Sequence, residues 1–240
     1  MKKLLLVFLS ILIPSVLAFG QQQTDAASAN SSLSKKSLYS FKMSDGKSQY
    51  AVYLYSEKQK VEKVTEPWAC ANLGDKAYSG KYKISIVKQG DIKVKTLDIG
   101  ERTFMPAGNL NLAYLIKGSP DLIAVSTCEA SVGSTVELFY IDGGKMIKTK
   151  NTIFTMHGKS LRGNGKSGYQ SVQYNNAEDA GWTFENWKLD KKKSTLVHSG
   201  DDMGLTEDNA LYEDGKYWSN YWFRHPSFIL TPLDAFGDVS

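Results

Sequence analysis

Histidine is scarce in this 240-residue chain, at three residues, and cysteine scarcer, at two. His157, His198 and His225 lie far apart, and Cys70 and Cys128 form no close pair, so no zinc-finger spacing can be assembled. No Gly-x-Ser-x-Gly occurs, which removes the nucleophile elbow of the common exported hydrolases. Excess charge of one sign is missing too: 29 basic against 25 acidic residues give a formal net charge of +4, or +2 without Lys2 and Lys3. That balance makes no electrostatic case for nucleic acid. The one tight cationic cluster, Lys191-Lys192-Lys193, is of the kind that ordinarily forms a solvated turn. Long apolar runs are absent as well. The longest, Leu4 to Leu17, falls short of the roughly 20 residues that span a bilayer of about 30 Å, so no stable membrane insertion is expected.

That run does carry information. Lys2 and Lys3 precede it and Val16-Leu17-Ala18 follows, a secretory signal peptide over residues 1–18 with cleavage after Ala18. The chain is therefore expected to be exported, periplasmic or secreted. Residues 19–38 are mostly Gln, Ser, Ala, Asn and Thr, a composition that predicts a flexible leader. Residues 39–240 suffice for a single domain with a sizeable core. In an oxidising compartment Cys70 and Cys128 are expected to form a disulfide.

Gly165-Lys166-Ser167 is the tripeptide that closes a phosphate-binding loop, but it has a twin. "DGKSQYAVYLY" at 45–55 lines up with "NGKSGYQSVQY" at 164–174, and both lead from a glycine turn into a β-rich run. "KGSPDLIAVST" at 117–127 and "EDGKYWSNYWF" at 213–223 follow the same plan. A phosphate loop also needs glycine where this chain has Ser160, and a helix where it predicts a strand. Downstream of the first three turns, residues 82–97, 136–151 and 184–199 each read as strand, tight turn, strand, with Gly143-Gly144 a strong hairpin signal. The landmarks recur about every 48 residues, with an insertion at about 57–81 carrying Trp68 and Cys70. No 3.6-residue apolar period is evident beyond the signal peptide. The expected fold is all-β: repeated antiparallel sheet units in a small or incomplete propeller-like array, or else a twisted β-sandwich. An array could close with the strand around "KSLYSFKM" or stay open.

"GSPDLIAVSTCEASVGSTVELFYIDGGKMIKT", residues 118–149, resembles an FG-GAP-type blade of the integrin-like propellers found in many exported bacterial proteins, and "DAFGDVS", residues 234–240, resembles the opening of another. The resemblance implies a β-array. Such blades commonly bind calcium through a loop of Asp and Asn oxygens, and here only Asn109 and Asn111 stand before the turn. No metal and no cofactor is expected.

The densest aromatic segment is "LYEDGKYWSNYWFRHPSF", with Tyr212, Tyr217, Trp218, Tyr221, Trp222, Phe223 and Phe228 beside Arg224 and His225. Aromatics alternating along a strand fill a core; alternatively, Trp218, Tyr221, Trp222, Arg224 and His225 form a binding platform. No catalytic residue is assigned. Ser160 and Ser167 lie near His157 only in sequence, and the pairs Asp201/Asp202 and Glu178/Asp179 sit in polar stretches. The expected function is an exported, noncatalytic binding protein for another protein or a cell-envelope glycan, in one version a periplasmic inhibitor or immunity protein. The competing class is a hydrolase with a site spread over loops. The sequence assigns no oligomeric state.

Overall fold

The computed structural model describes residues 30–108, 110–165, 167–200 and 202–237. The expected signal peptide and residues 19–29 of the leader lie outside the described residues. The fold is all-β and built from three antiparallel sheets in chain order. The first joins β1 (Tyr39–Ser44), β2 (Gln49–Ser56), β4 (Lys76–Lys88) and β5 (Val94–Phe104), with β3 (Lys60–Lys63) pairing the early half of β4. The second joins β6 (Leu112–Ile116), β7 (Leu122–Ala130) and β8 (Gly133–Asp142), along which β9 (Lys145–Lys148) and β10 (Ile153–Thr155) form a split fourth strand. The third repeats that plan with β11 (Leu161–Gly163), β12 (Gly168–Asn175), β13 (Gly181–Asp190), and the split pair β14 (Thr195–His198) and β15 (Met203–Thr206).

Period-2 alternation stacks the sheets. In β7, Ile123 and Val125 pack with Val52, Leu54, Ile84 and Ile86 of the first sheet. Their neighbours Leu122 and Ala124 pack instead with Tyr169 and Trp187 of the third. A strand buried on both faces loses its polar positions, and residues 122–125 are accordingly all apolar and all buried. The outer faces of the stack meet helices. Residues 30–36 are helical and lay Leu33 on Tyr53, Tyr55 and Val87. At the other end, α1 (Tyr212–Arg224) buries Trp222 against Val172, Phe184, Met203 and Leu205.

Three expectations need correction. The segment after Gly215 is a helix, not the strand of a fourth sheet, and a 3.6-residue period is present after all. Gly215, Trp218, Ser219 and Trp222 share one stripe, with Glu213 and Asp214 in the first turn and Arg224 in the last, as the helix dipole favours. Gly215 is required there because a Cβ would sit 2.7 Å from the Leu205 carbonyl oxygen. The strand around "KSLYSFKM" is the first strand of its own sheet, so it closes nothing and the array is open. The last part of the leader is ordered: one buried leucine suffices to seat a short helix on an exposed sheet face. The resemblance at 118–149 corresponds to a turn followed by β7, β8 and β9. Within 234–240, residues up to Phe236 belong to α2 (Pro232–Phe236), and 238–240 lie outside the described residues.

The twin tripeptides are hairpin turns. Asp45 Oδ1 accepts from the amides of Lys47 and Ser48, and Asn164 Oδ1 accepts from that of Gly168. Gly46 and Gly165 supply positive φ, of 92° and 73°. Strand β12 follows where a phosphate loop would place a helix. The twins are not equivalent in packing, however: Tyr50 points into the core between sheets one and two, Tyr169 into that between two and three. The third turn is one residue longer between paired positions, and a one-residue slip exchanges the faces of a strand.

Candidate functional site

The first strands of the three sheets, β1, β6 and β11, line up beside one another, and a groove of about 420 Å³ runs along them. Its walls are Tyr114, Leu115 and Ile116 from β6, Leu161, Arg162 and Gly163 from β11, and Phe223 and Pro226 from α1 and its end. Gly163 lets β11 approach the preceding turn, since a Cβ there would overlap the Lys117 carbonyl oxygen at 1.8 Å. Lys159 lines this groove and two adjoining depressions, one with His157 and Leu110, the other with Tyr39, Phe41 and Pro106.

Three cations face the groove and no carboxylate does. Lys117 is compensated: its Nζ lies 2.9 Å from buried Asp121, which also accepts from the Ser44 and Gly118 amides and so ties the second turn to the first sheet. Lys159 has no carboxylate within 4.0 Å among the described residues, and neither has Arg162. The Arg162 guanidinium lies 3.2 Å from the Trp222 ring centroid, and its Nη1 donates to the carbonyls of His225 and Phe228. Partial burial lowers its pKa to about 10, a cost to a cation that an anion in the groove would relieve. Under the wall, the Tyr114 hydroxyl is buried without a well-formed hydrogen bond, and burial raises its pKa.

The five residues expected as a binding platform are divided. Trp222 is fully buried and its indole donates to Gln170 Oε1, so it is core that also supports Arg162. Trp218 and Tyr221 are half-buried against Phe228, Trp218 stacked on it and Tyr221 edge-on. Arg224 and His225 are exposed, with the His225 ring stacked on Tyr221 at 3.8 Å. The helix, with its 100° step, sends these side chains to different sides. Sequence reasoning missed Arg162 and Lys159. Their signal, cations on short inner strands and loops, becomes visible only once the sheets are stacked.

Other groupings are satisfied internally. Ser134 Oγ lies 2.9 Å from His157 Nδ1, but Ser134 is wholly buried, out of reach of a substrate carbonyl. Ser160, also buried, donates to the carbonyls of Met156 and His157 and makes no bond with the imidazole. Glu178 and Asp179 lie in a turn, where Asp179 accepts from the Asp208 amide; Asp201 lies outside the described residues. Asp202 joins His198 and Glu185 in the one cluster with metal-ligand spacing among the described residues, the three ligand atoms within 4.8 Å of one another. Asp202 is bonded to His198 Nδ1 at 2.9 Å, and Glu185 accepts from Ser171 and Gln173. Asn111, one of the two asparagines before the FG-GAP-like stretch, accepts from the Cys128 amide and so serves β7; Asn109 lies outside the described residues.

Cys70 and Cys128 form a disulfide, consistent with an oxidising location, and it ties the insertion to β7 of the second sheet. The tethered loop exposes Trp68 and Leu73. No helix among the described residues is long and apolar enough to cross a membrane. No protein-family model, curated protein or solved structure matches the chain.

Proposed function

We propose that the chain is an exported binding protein, not an enzyme, that holds an acidic segment of another protein in the groove along β1, β6 and β11. The observation that carries the proposal is Arg162, a half-buried guanidinium without a carboxylate partner among the described residues, in a groove with no acidic side chain. Exported proteins rarely place an unpaired cation over an indole in an apolar cleft unless an anion completes it. A glycan is the weaker fit. Sugar hydroxyls need acceptors and bidentate partners, and no Asp, Glu, Asn or Gln lines this groove. Trp68 and Leu73 on the cross-linked loop give a second, apolar contact whose ordering cost the disulfide has already lowered. Binding of this kind suits an inhibitor or immunity protein, which acts by occlusion and requires no reaction chemistry.

The test is affinity capture with the tagged chain and its R162Q variant from the exported fraction of the producing cells. A stoichiometric partner retained by the parent, released by salt and lost with R162Q is the expected result. Turnover by the purified chain in a broad hydrolase panel would overturn the proposal, as would a partner retained equally by R162Q.

A further inference from the structure

Lysines that are scattered in the sequence gather at one end of the array. Each sheet is an antiparallel meander, so its first and third connections emerge at the same end. The turn 45–48 and the turn 89–93 of the first sheet therefore lie together, and the Gly143-Gly144 turn of the second comes alongside them. Between the three turns is a cleft of about 310 Å³. Lys47, Lys88, Lys93 and Lys95 reach it from different turns and strands. Lys191, from the corresponding turn of the third sheet, pairs loosely with Asp142 at 3.8 Å and lies close enough to Asp45 to favour its ionised form.

Two carboxylates border the cleft, and both are turned to the backbone. Asp45 accepts from the amides of Lys47 and Ser48 and from the Tyr50 hydroxyl; Asp91 accepts from the Lys93 amide. Neither has a lysine ammonium of the cleft within 4.0 Å, and no other described carboxylate does. Lys95 Nζ donates to the Gly144 carbonyl at 2.7 Å, which fixes one ammonium at the wall with two protons to spare. The two glycines carry no side chain over the opening, so the cleft stays clear. Four ammonium groups held around one cavity repel one another unless a multivalent anion lies between them.

We infer that this cleft is a binding site for a phosphate group, on a site separate from the Arg162 groove and independent of what that groove holds. Phosphate fits better than a carboxylate. It presents three or more acceptor oxygens and up to two negative charges to ammoniums arriving from several directions, whereas a carboxylate offers one charge and one plane. The cavity is also shallow and polar at its rim, as suits a hydrated anion. The Gly46-Lys47-Ser48 turn thus contributes a lysine to an anion site without being a nucleotide loop: the chain continues into β2, and no helix N-terminus faces the cleft.

The test is calorimetric titration of the full chain with sodium phosphate, with sodium acetate as the comparison anion. Saturable one-to-one binding of phosphate, at least about ten-fold tighter than acetate, is expected. K88Q and K93Q should each weaken it about five-fold, while K60Q, on the exposed β3, leaves it unchanged. Equal melting temperatures of the three variants exclude a folding effect. A parallel arm measures sedimentation with phosphatidylglycerol vesicles against phosphatidylcholine vesicles. Binding of phosphate alone assigns a free or polymer-borne phosphate, and binding of the anionic vesicles alone, lost in K88Q and K93Q, assigns a lipid headgroup. Binding in neither arm overturns the inference, as does equal weakening by K60Q.

Discussion

Removing the Cys70–Cys128 cross-link should lower the melting temperature by about 10 °C. The bond closes an interval of 58 residues. On the chain-entropy account, freeing a loop of that length stabilises the unfolded state by about 4 kcal/mol. Unfolding entropy of about 2 cal/mol/K per residue, over roughly 200 ordered residues, converts that into about 10 °C. Both cysteines are buried, so C70A/C128A adds a packing loss of about 1 kcal/mol in the same direction. Scanning calorimetry on the parent, the reduced parent and the double variant separates these contributions, because reduction alone leaves the sulfurs in place. The denaturant slope should rise as well, since the unfolded chain exposes more surface without the tie. Native-state proteolysis adds a local readout. Lys63 and Lys76 bracket the tethered loop, and trypsin should cut there only after reduction. A fall of less than about 3 °C in both reduced and substituted protein would refute the argument, showing that β3 and its pairing with β4 already confine the insertion.

G163A should destabilise the chain by about 3 kcal/mol or more, because the new methyl meets the Lys117 backbone oxygen and backbone cannot rotate away; chemical denaturation reads it, and an unchanged midpoint would contradict the close approach of β11. L33D should uncover Tyr53, Tyr55 and Val87 and cost about 2 kcal/mol, with increased binding of a hydrophobic dye as the sign that an outer sheet face has opened. Glu185 has a raised pKa, chiefly through desolvation and then through the nearby Asp202 charge. Its contribution to stability is therefore complete below the unfolded-state value and declines as pH rises through the folded one. E185Q should accordingly melt higher, relative to the parent, at pH 7 than at pH 4; a difference independent of pH would dismiss the desolvation argument.

Much of the architecture was legible because turns and strands are local. The Asx-type turns at Asp45 and Asn164, the Gly143-Gly144 hairpin and the alternation of β5 each depend on a few adjacent residues. The helix over 212–224 escaped because its aromatic density reads as a strand when counted by composition. Its apolar stripe is only four positions wide, and two of those, Gly215 and Ser219, are small residues chosen for close approach to β13 and β15. The groove was illegible for a different reason. Arg162 and Lys159 come from the third sheet and the loop before it, Tyr114 from the second, and Phe223 from a helix more than 60 residues onward, so their meeting is a product of stacking. The lysine cleft is the same case: charges that look dispersed along the chain converge because alternate turns of a meander share an end.

How the array ends bears on what it can bind. A stack of sheets has two outer faces that must be covered, and a closed propeller covers them with each other. Here each receives a helix, residues 30–36 at one end and α1 at the other, and closure is unnecessary. The consequence falls on the inner strands. In a closed ring they would line a central channel and face one another; in a three-sheet arc β1, β6 and β11 flank a groove that remains open at one side. The capping helix then performs a second task, since Phe223 and the carbonyls of His225 and Phe228 both wall the groove and hold Arg162 over Trp222. Replacing the fourth sheet by a helix thus caps the core and furnishes one side of the candidate site with the same thirteen residues.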